Sequence, residues 1–586
     1  MKTLAASLLP VVASAAVLGF VPAALAHGDE LGHGAMEMSD ADKPLPEDQY
    51  PPTYFALPDH RAAIYGHIGL MVLGWVFVLP VAVMLSLARS RYTLLLQFGF
   101  LALNAGGMLL GVIYNASTPD LYPNNAHHKL GWIVTSVVSA QVVIGLLARV
   151  AGMMKRGKSD SRAEERQGFI PVSTEAIAEH EARFPGPYGR FSNDSGQGTE
   201  PRTESLRSHS LSSGAESPTI LHKEYHIDNA DVDDDVEAHV PMFAKSTKAH
   251  SVVANVASKI SDRFWKVLLF AYNFVDRTIL ILGFIALCTG IIAYGRFFEG
   301  DGIFSGLAHW IKGGIFFWLG IFTLGRWAGS FGELGWAWNI RPKRIGQKWR
   351  PSAEFVESAL IFFYGSTNIF LEHLGNWGSE WSATDLEHVS ITVLFIGGGL
   401  CGMLVESTRI RDLLNYTVTD AARPGPEHNA YRDEEARDEL REPETYSFSM
   451  NPIPALVILL LGIMMSSHTQ KSMVSSMVHK QWGNLLTGAS FTRSLTYVLT
   501  WLRPPKSVYP SRPPTELLTA FGLISGGIIF MASSSDTISG MIHYQLDAMF
   551  MYTVTMGMVG VLMAWVILLV ALKGWAARRE ARARLR

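Results

Sequence analysis

Cysteine is almost missing from this chain: two residues in 586, Cys288 and Cys401, each inside an apolar run. Two thiols in separate hydrophobic segments exclude a disulfide framework and a zinc site built from cysteines. Charge is scarce too. Only 17% of residues are Asp, Glu, Lys or Arg, the formal net charge is -3, and no internal repeat is evident. Nothing in that balance points to nucleic acid as a partner.

What is abundant is long apolar sequence. Hydrophobic residues make up 48% of the chain, and they are clumped into segments of membrane length. Eleven spans are expected, at about 62–88, 93–115, 127–151, 275–297, 303–327, 352–372, 386–406, 452–468, 482–502, 515–535 and 547–573. The fold class is therefore all-α, a polytopic helical membrane protein whose first partner is the lipid bilayer.

Residues 1–26 read as a signal peptide, with Lys2, an apolar middle and the small-residue end Ala24-Leu25-Ala26. Cleavage after Ala26 leaves a lead-in, 27–58, on the non-cytosolic side. Counting spans from there makes each odd-numbered connection cytosolic. Those are the connections that carry the basic residues: Arg89 and Arg91, Lys155 and Arg156, Arg341 to Arg350, Arg409 and Arg411, Arg503 and Lys506, and the tail 574–586. The distribution of Lys and Arg sets orientation, so the N-terminus is expected outside and the C-terminus in the cytosol. A secretory route implies a plasma or vacuolar-type membrane rather than a mitochondrial one. Residues 153–262 are polar, contain DNADVDDDVE, and lack the apolar content to bury a core, so a disordered cytosolic linker is expected. It separates a three-helix unit, 59–152, from an eight-helix domain, 263–573. A charged cytosolic loop is expected at 411–447.

Histidines at the mouths of apolar helices are the main chemical signal, since an ionisable group at membrane depth is a functional candidate by default. His67 lies about five residues, or ~7 Å, into the first span. His127 and His128 open the third span, which runs the same way. Adjacent residues on a helix point roughly 100° apart, so one of those two faces His67. A pair of imidazoles across two helices suits a haem or another metal.

The two helices, HIGLMVLGWVFVLPVAVMLSLAR and HHKLGWIVTSVVSAQVVIGLLAR, resemble the first and third core helices of the cytochrome b561 family. The resemblance implies haem b held by His67 and His127, with His128 as the substitute ligand. It also implies one-electron exchange with a small reductant or a metal ion. That family holds a second haem on its second and fourth helices. Here LLLQFGFLALNAGGMLLGVIYN offers Gln97 and Asn104 but no histidine, and DRFWKVLLFAYNFVDRTILILGF has none either. One haem is expected, without a relay across the membrane. The remainder resembles fungal Ytp-type membrane proteins of poorly defined function, through GLAHWIKGGIFFWLGIFTLGRWAG, GELGWAWNIRP and SMVSSMVHKQWG.

Soft ligands give a second reading, a copper or iron transporter or sensor. His27 as a new N-terminus, His33, Met36 and Met38 form one group; Met473 and Met477, four apart, with His468 and His479 form another. Their ordinary readings are a solvated lead-in and helix packing. His309 and Lys312 open the fifth span, where a lysine generally snorkels. Glu354 and Glu357 sit one turn apart at the start of the sixth, as proton-relay candidates or helix-start carboxylates. The third reading is a non-catalytic membrane scaffold.

Overall fold

The computed structural model describes residues 43, 44, 46, 50–167, 262–300, 302–342, 351–368, 380–422, 441–468 and 470–584. Among these residues the regular structure is helical, with no strand. The signal peptide, most of the lead-in and most of the 153–262 linker lie outside them.

In chain order the helices are α1 (Arg61–Leu87), α2 (Thr93–Ser117), α3 (Ala126–Gln167), α4 (Asp262–Gly295), α5 (Gly302–Ala328), α6 (Ala353–Asn368) and α7 (Ala383–Glu406). They continue with α8 (Thr408–Ala421), α9 (Ile453–Ser467), α10 (Met473–Leu502), α11 (Pro514–Ala532), α12 (Ser535–His543) and α13 (Ala548–Arg584). Eight of them, α1 to α5, α7, α11 and α13, are long and apolar enough to cross a membrane. The other three expected spans coincide with α6, with the shorter apolar α9, and with α10.

Three boundaries differ from the sequence reading. α10 begins at Met473 rather than near 482, because the Ser472 side chain accepts the Ser475 N–H at 3.0 Å and caps a polar first turn. The 411–447 segment opens inside α8, whose N-cap Ser407 accepts from Ile410 N at 3.4 Å. The basic tail continues α13 as helix to Arg584.

The chain divides into two compact units, residues 1–138 with 276–586, and residues 139–275. In the second unit Gly145 faces Tyr272, whose ring would lie 3.1 Å from a Cβ at that glycine.

The first unit is organised on α11, the most buried of the spans. Small residues let backbones approach in a bilayer, where apolar burial gives helices no preference for one another. A Cβ on Gly313 would fall 2.5 Å from Gly527 O, and one on Gly527 would fall 2.5 Å from Phe317 N. Gly522 and Gly526 do the same against α10, with Leu485 O and Leu486 Cδ2 each 3.0 Å from the missing Cβ. Trp482, Leu486, Ile529 and Phe530 fill the adjoining core.

α1 carries a π-helical turn at Leu73–Val78, just ahead of Pro80. A helical proline cannot bond the carbonyl four residues earlier, here Val76. That carbonyl accepts Trp565 Nε1 at 3.0 Å, which fastens α13 to α1. Arg91 with Glu580, at 3.3 Å, makes a second tie between the N-terminal helices and α13.

Candidate functional site

His67 and His127 meet. Their ring centroids are 6.2 Å apart with the planes at 85°. His67 Nδ1 lies 2.8 Å from Gly107 O; a carbonyl only accepts, so Nδ1 carries the proton. His127 Nδ1 lies 3.3 Å from Thr289 Oγ1, and that hydroxyl donates to Ala286 O at 3.0 Å. With its proton so engaged, the hydroxyl accepts, and His127 is fixed as the same tautomer. Each ring therefore keeps the Nε2 lone pair, the arrangement in which an outer hydrogen bond orients a metal-binding histidine. Glycines seat both rings: a Cβ on Gly111 would fall 2.7 Å from His67 Nδ1, and one on Gly290 would fall 3.1 Å from His127 Cε1. About a turn from Gly107 on α2, Asn104 accepts from Trp75 Nε1 at 2.9 Å and donates to Thr135 at 3.0 Å.

Loops cover the end of the unit at which α1, α3 and α5 begin. Tyr122 shares its hydroxyl proton between Phe297 O and Phe298 O at 2.8 and 3.0 Å, and Phe298 N donates to Asp536 at 2.6 Å. Burial, with Glu299 and Asp536 nearby, holds the Tyr122 hydroxyl above its ordinary pKa, so it stays a donor. Arg296 donates to Pro52 O at 3.0 Å, and Tyr50 stacks on His543 at 3.8 Å. The described end of the lead-in is thereby tied to this cover.

Two more histidines meet near the starts of α5 and α10. His309 and His479 have centroids 6.1 Å apart and planes at 85°. Their Nδ1 atoms donate to Ser305 O at 2.8 Å and Ser475 O at 2.9 Å, each four residues back on its own helix.

Toward the far ends of α5 and α10 lies a buried charge cluster. Arg326 donates to Glu354 at 2.9 Å, to Glu357 at 3.0 Å and to Trp336 O at 2.7 Å, with its guanidinium 4.3 Å above the Trp338 ring centroid. Glu357 also accepts from Arg493 at 3.3 Å, and Arg493 donates to Thr323 at 3.0 Å. Arg493 Nε lies 2.8 Å from Glu516 Oε1, an ion pair without the alignment of a hydrogen bond. All five charged residues are buried, Glu516 completely at 0% exposure. Three carboxyls face two guanidiniums, so one surplus negative charge remains to be balanced by a proton or a cation.

Placement of the residues singled out from sequence is uneven. His67 and His127 are together, whereas His128 is exposed and only its backbone N–H is engaged, with Asn125 at 3.2 Å. His468 pairs with Glu387 at 3.3 Å. Met473 and Met477 are 50% and 53% exposed while His479 is 6% exposed, so the methionines and that histidine occupy different faces of α10. His27 and His33 lie outside the described residues. Among the described residues no three His, Cys, Asp or Glu side chains converge as a metal site. Arg326, Arg493 and Glu516 went unremarked in the sequence, although each is an ionisable residue in or beside an apolar span, which is itself a signal.

The fold defines a polytopic helical membrane protein with polar clusters at both ends of its main bundle. The chain belongs to the Ytp1-like family. Residues 282–574 match the family described as Protein YTP1-like, C-terminal, and residues 48–151 match a domain of unknown function, DUF2427. A relative from Schizosaccharomyces pombe, named as an uncharacterized membrane protein, is 31% identical over 88% of this chain and 94% of its own length. A second uncharacterized membrane protein, from Saccharomyces cerevisiae, is 42% identical over 52% of this chain and 47% of its own. Protein YTP1 of Saccharomyces cerevisiae is 22% identical over 32% of this chain and 31% of its own. No solved structure matches the chain.

Proposed function

We propose that this membrane protein binds haem b between His67 and His127 and serves one-electron transfer. The carrying observation is the geometry of that pair. The rings meet at 6.2 Å between centroids with each Nδ1 hydrogen-bonded, so His67 and His127 would hold the iron through Nε2. A bare zinc or cupric ion draws three or four protein ligands. Among the described residues no third His, Cys, Asp or Glu side chain converges on the pair, and two imidazoles alone would suit haem better than a bare ion.

Bound there, haem would supply reversible one-electron storage. The residues of the chain set its surroundings. Gly107 O and the Thr289–Ala286 relay hold the Nδ1 protons, which strengthens Nε2 as a donor and keeps each ring from turning. Gly111 and Gly290 fix the depth of the rings. The distribution of basic loops supports a non-cytosolic position for the pair, facing a small reductant or a metal ion as electron partner.

A dithionite-reduced spectrum of the purified full-length protein tests this. A b-type absorbance is expected, with haem content reduced by His67→Ala and by His127→Ala but kept in His128→Ala. A monodisperse wild-type protein without haem absorbance would end the proposal.

A further inference from the structure

α8 is too short and too charged to cross a bilayer. Its 14 residues reach about 21 Å at 1.5 Å per residue, and Arg409, Arg411, Asp412 and Asp420 lie among them. Even so, Ile410, Leu413, Leu414, Thr417, Val418 and Ala421 share one arc of roughly 140°, at about 100° per residue.

That arc faces outward. Leu413, Leu414 and Val418 are 70%, 74% and 70% exposed, against 46%, 45% and 49% for Leu400, Leu404 and Val405 in the last turns of the span α7. A helix of a water-soluble fold turns its apolar face to the core. Here it is the polar side that meets the rest of the chain. Asn415 donates to the Tyr446 hydroxyl at 3.3 Å, and the Arg411 guanidinium lies 4.7 Å above the centroid of the same ring. Asp412, Tyr416 and Asp420 form a third sector, also exposed. Protein on one side, an apolar arc on the next and free charges on the third is the division of a helix lying at a membrane surface.

We infer that α8 is a lipid-binding helix, lying along the leaflet where α7 ends with Leu413, Leu414 and Val418 among phospholipid acyl chains. Continuity with the span identifies the occupant. Ser407 alone separates α7 from α8; its extended backbone, at φ -72° and ψ 113°, ends one helix, and its side chain caps the next. The arc therefore begins where a membrane-crossing helix leaves the acyl region. The sequence that follows, RPGPEHNAYRDEEARDEL at 423–440, holds Tyr431 and Leu440 as its only large apolar side chains, too few to cover the arc. Arg409 and Tyr416 border the arc on the side of Asp412. A guanidinium there reaches headgroup phosphates, and a phenol sits at headgroup level. The opening of a segment expected as a charged loop is thus a membrane-surface element, and Tyr446 fastens it to the chain leading into α9.

Nitroxide accessibility tests this in the full-length protein, held in phosphatidylcholine vesicles on a background of Cys288→Ala and Cys401→Ala. A label at Leu414→Cys or Val418→Cys should collide several-fold more with oxygen, which concentrates among acyl chains, than with a water-soluble nickel chelate. At Asp412→Cys the preference should invert. Thr417→Cys, in the same arc, is the milder probe if a label at Leu414 disturbs the monodisperse peak. Nickel access at Leu414, Thr417 and Val418 equal to that at Asp412 overturns the inference, because the arc then faces water. Exclusion of both reagents from the arc overturns it as well, because protein, a second copy included, then covers it.

Discussion

α5 and α10 each carry a histidine near the first turns and an arginine toward the far end. His309 and Arg326 are seventeen residues apart on α5, about 25 Å at 1.5 Å per residue. The two ends solve the problem of polar groups at membrane depth in opposite ways. At the arginine end, Arg326, Glu354, Glu357 and Arg493 spend their hydrogen bonds on one another, with Glu516 paired to Arg493. At the histidine end, each ring uses one nitrogen on a carbonyl and keeps the other lone pair. A cluster whose charges face one another holds helices; a half-used pair can take a ligand. The His67–His127 pair is of the second kind.

That contrast predicts which substitutions destroy the fold and which remove only a ligand. The largest effect belongs to Arg326→Ala, which strands two buried carboxylates. A loss of about 3–5 kcal/mol is expected, read as collapse of the monodisperse peak in detergent or a large drop in thermal midpoint. Next comes Gly527→Ala, because the added methyl meets the backbone of Phe317 at 2.5 Å. About 1–3 kcal/mol of overpacking follows, and it should weaken the α5–α11 seam and disturb the His309 pair with it. His67→Ala should keep the helical signal and the elution position while losing haem from its site. A His67→Ala protein that unfolds as readily as Arg326→Ala would erase the distinction between the two kinds of cluster. Glu516→Gln removes the surplus charge of the cluster, so it should change stability by roughly 1 kcal/mol or less, read as a shift in thermal midpoint well below that of Glu354→Gln. The smallest effect is assigned to Met473→Leu with Met477→Leu, both half exposed on α10; haem content and stability should stay at wild-type values.

Apolar runs made the helices legible in the sequence, since a run of membrane length has few alternatives to a helix. The His67–His127 pair was legible too, because two histidines beginning two like-directed spans must lie at similar depth. What stayed hidden depends on contacts between distant segments. Arg326 and Glu516 are 190 residues apart, and His309 and His479 are 170 apart. Each has an ordinary local reading as a snorkelling, capping or interfacial residue. Only the order of packing around α11 brings them together, and helix periodicity carries no information about which helices are neighbours. The start of α10 was misplaced for a local reason: its first turn is polar, so hydropathy placed the start too late, whereas the Ser472 cap starts the helix at Met473. The helix at 408–421 was missed because its apolar residues are broken up by polar and charged ones, among them Arg409, Arg411, Asp412 and Asp420, and never form a run of membrane length.

The proposed site is a single pair of imidazoles, His67 with His127. It is tested most directly by haem content and the reduced spectrum of purified wild type beside His67→Ala and His128→Ala. A b-type absorbance is expected in the wild type, a diminished one in His67→Ala with the protein still monodisperse, and a wild-type spectrum in His128→Ala. Equal haem content in wild type and His67→Ala, or a folded wild type with none, would contradict it.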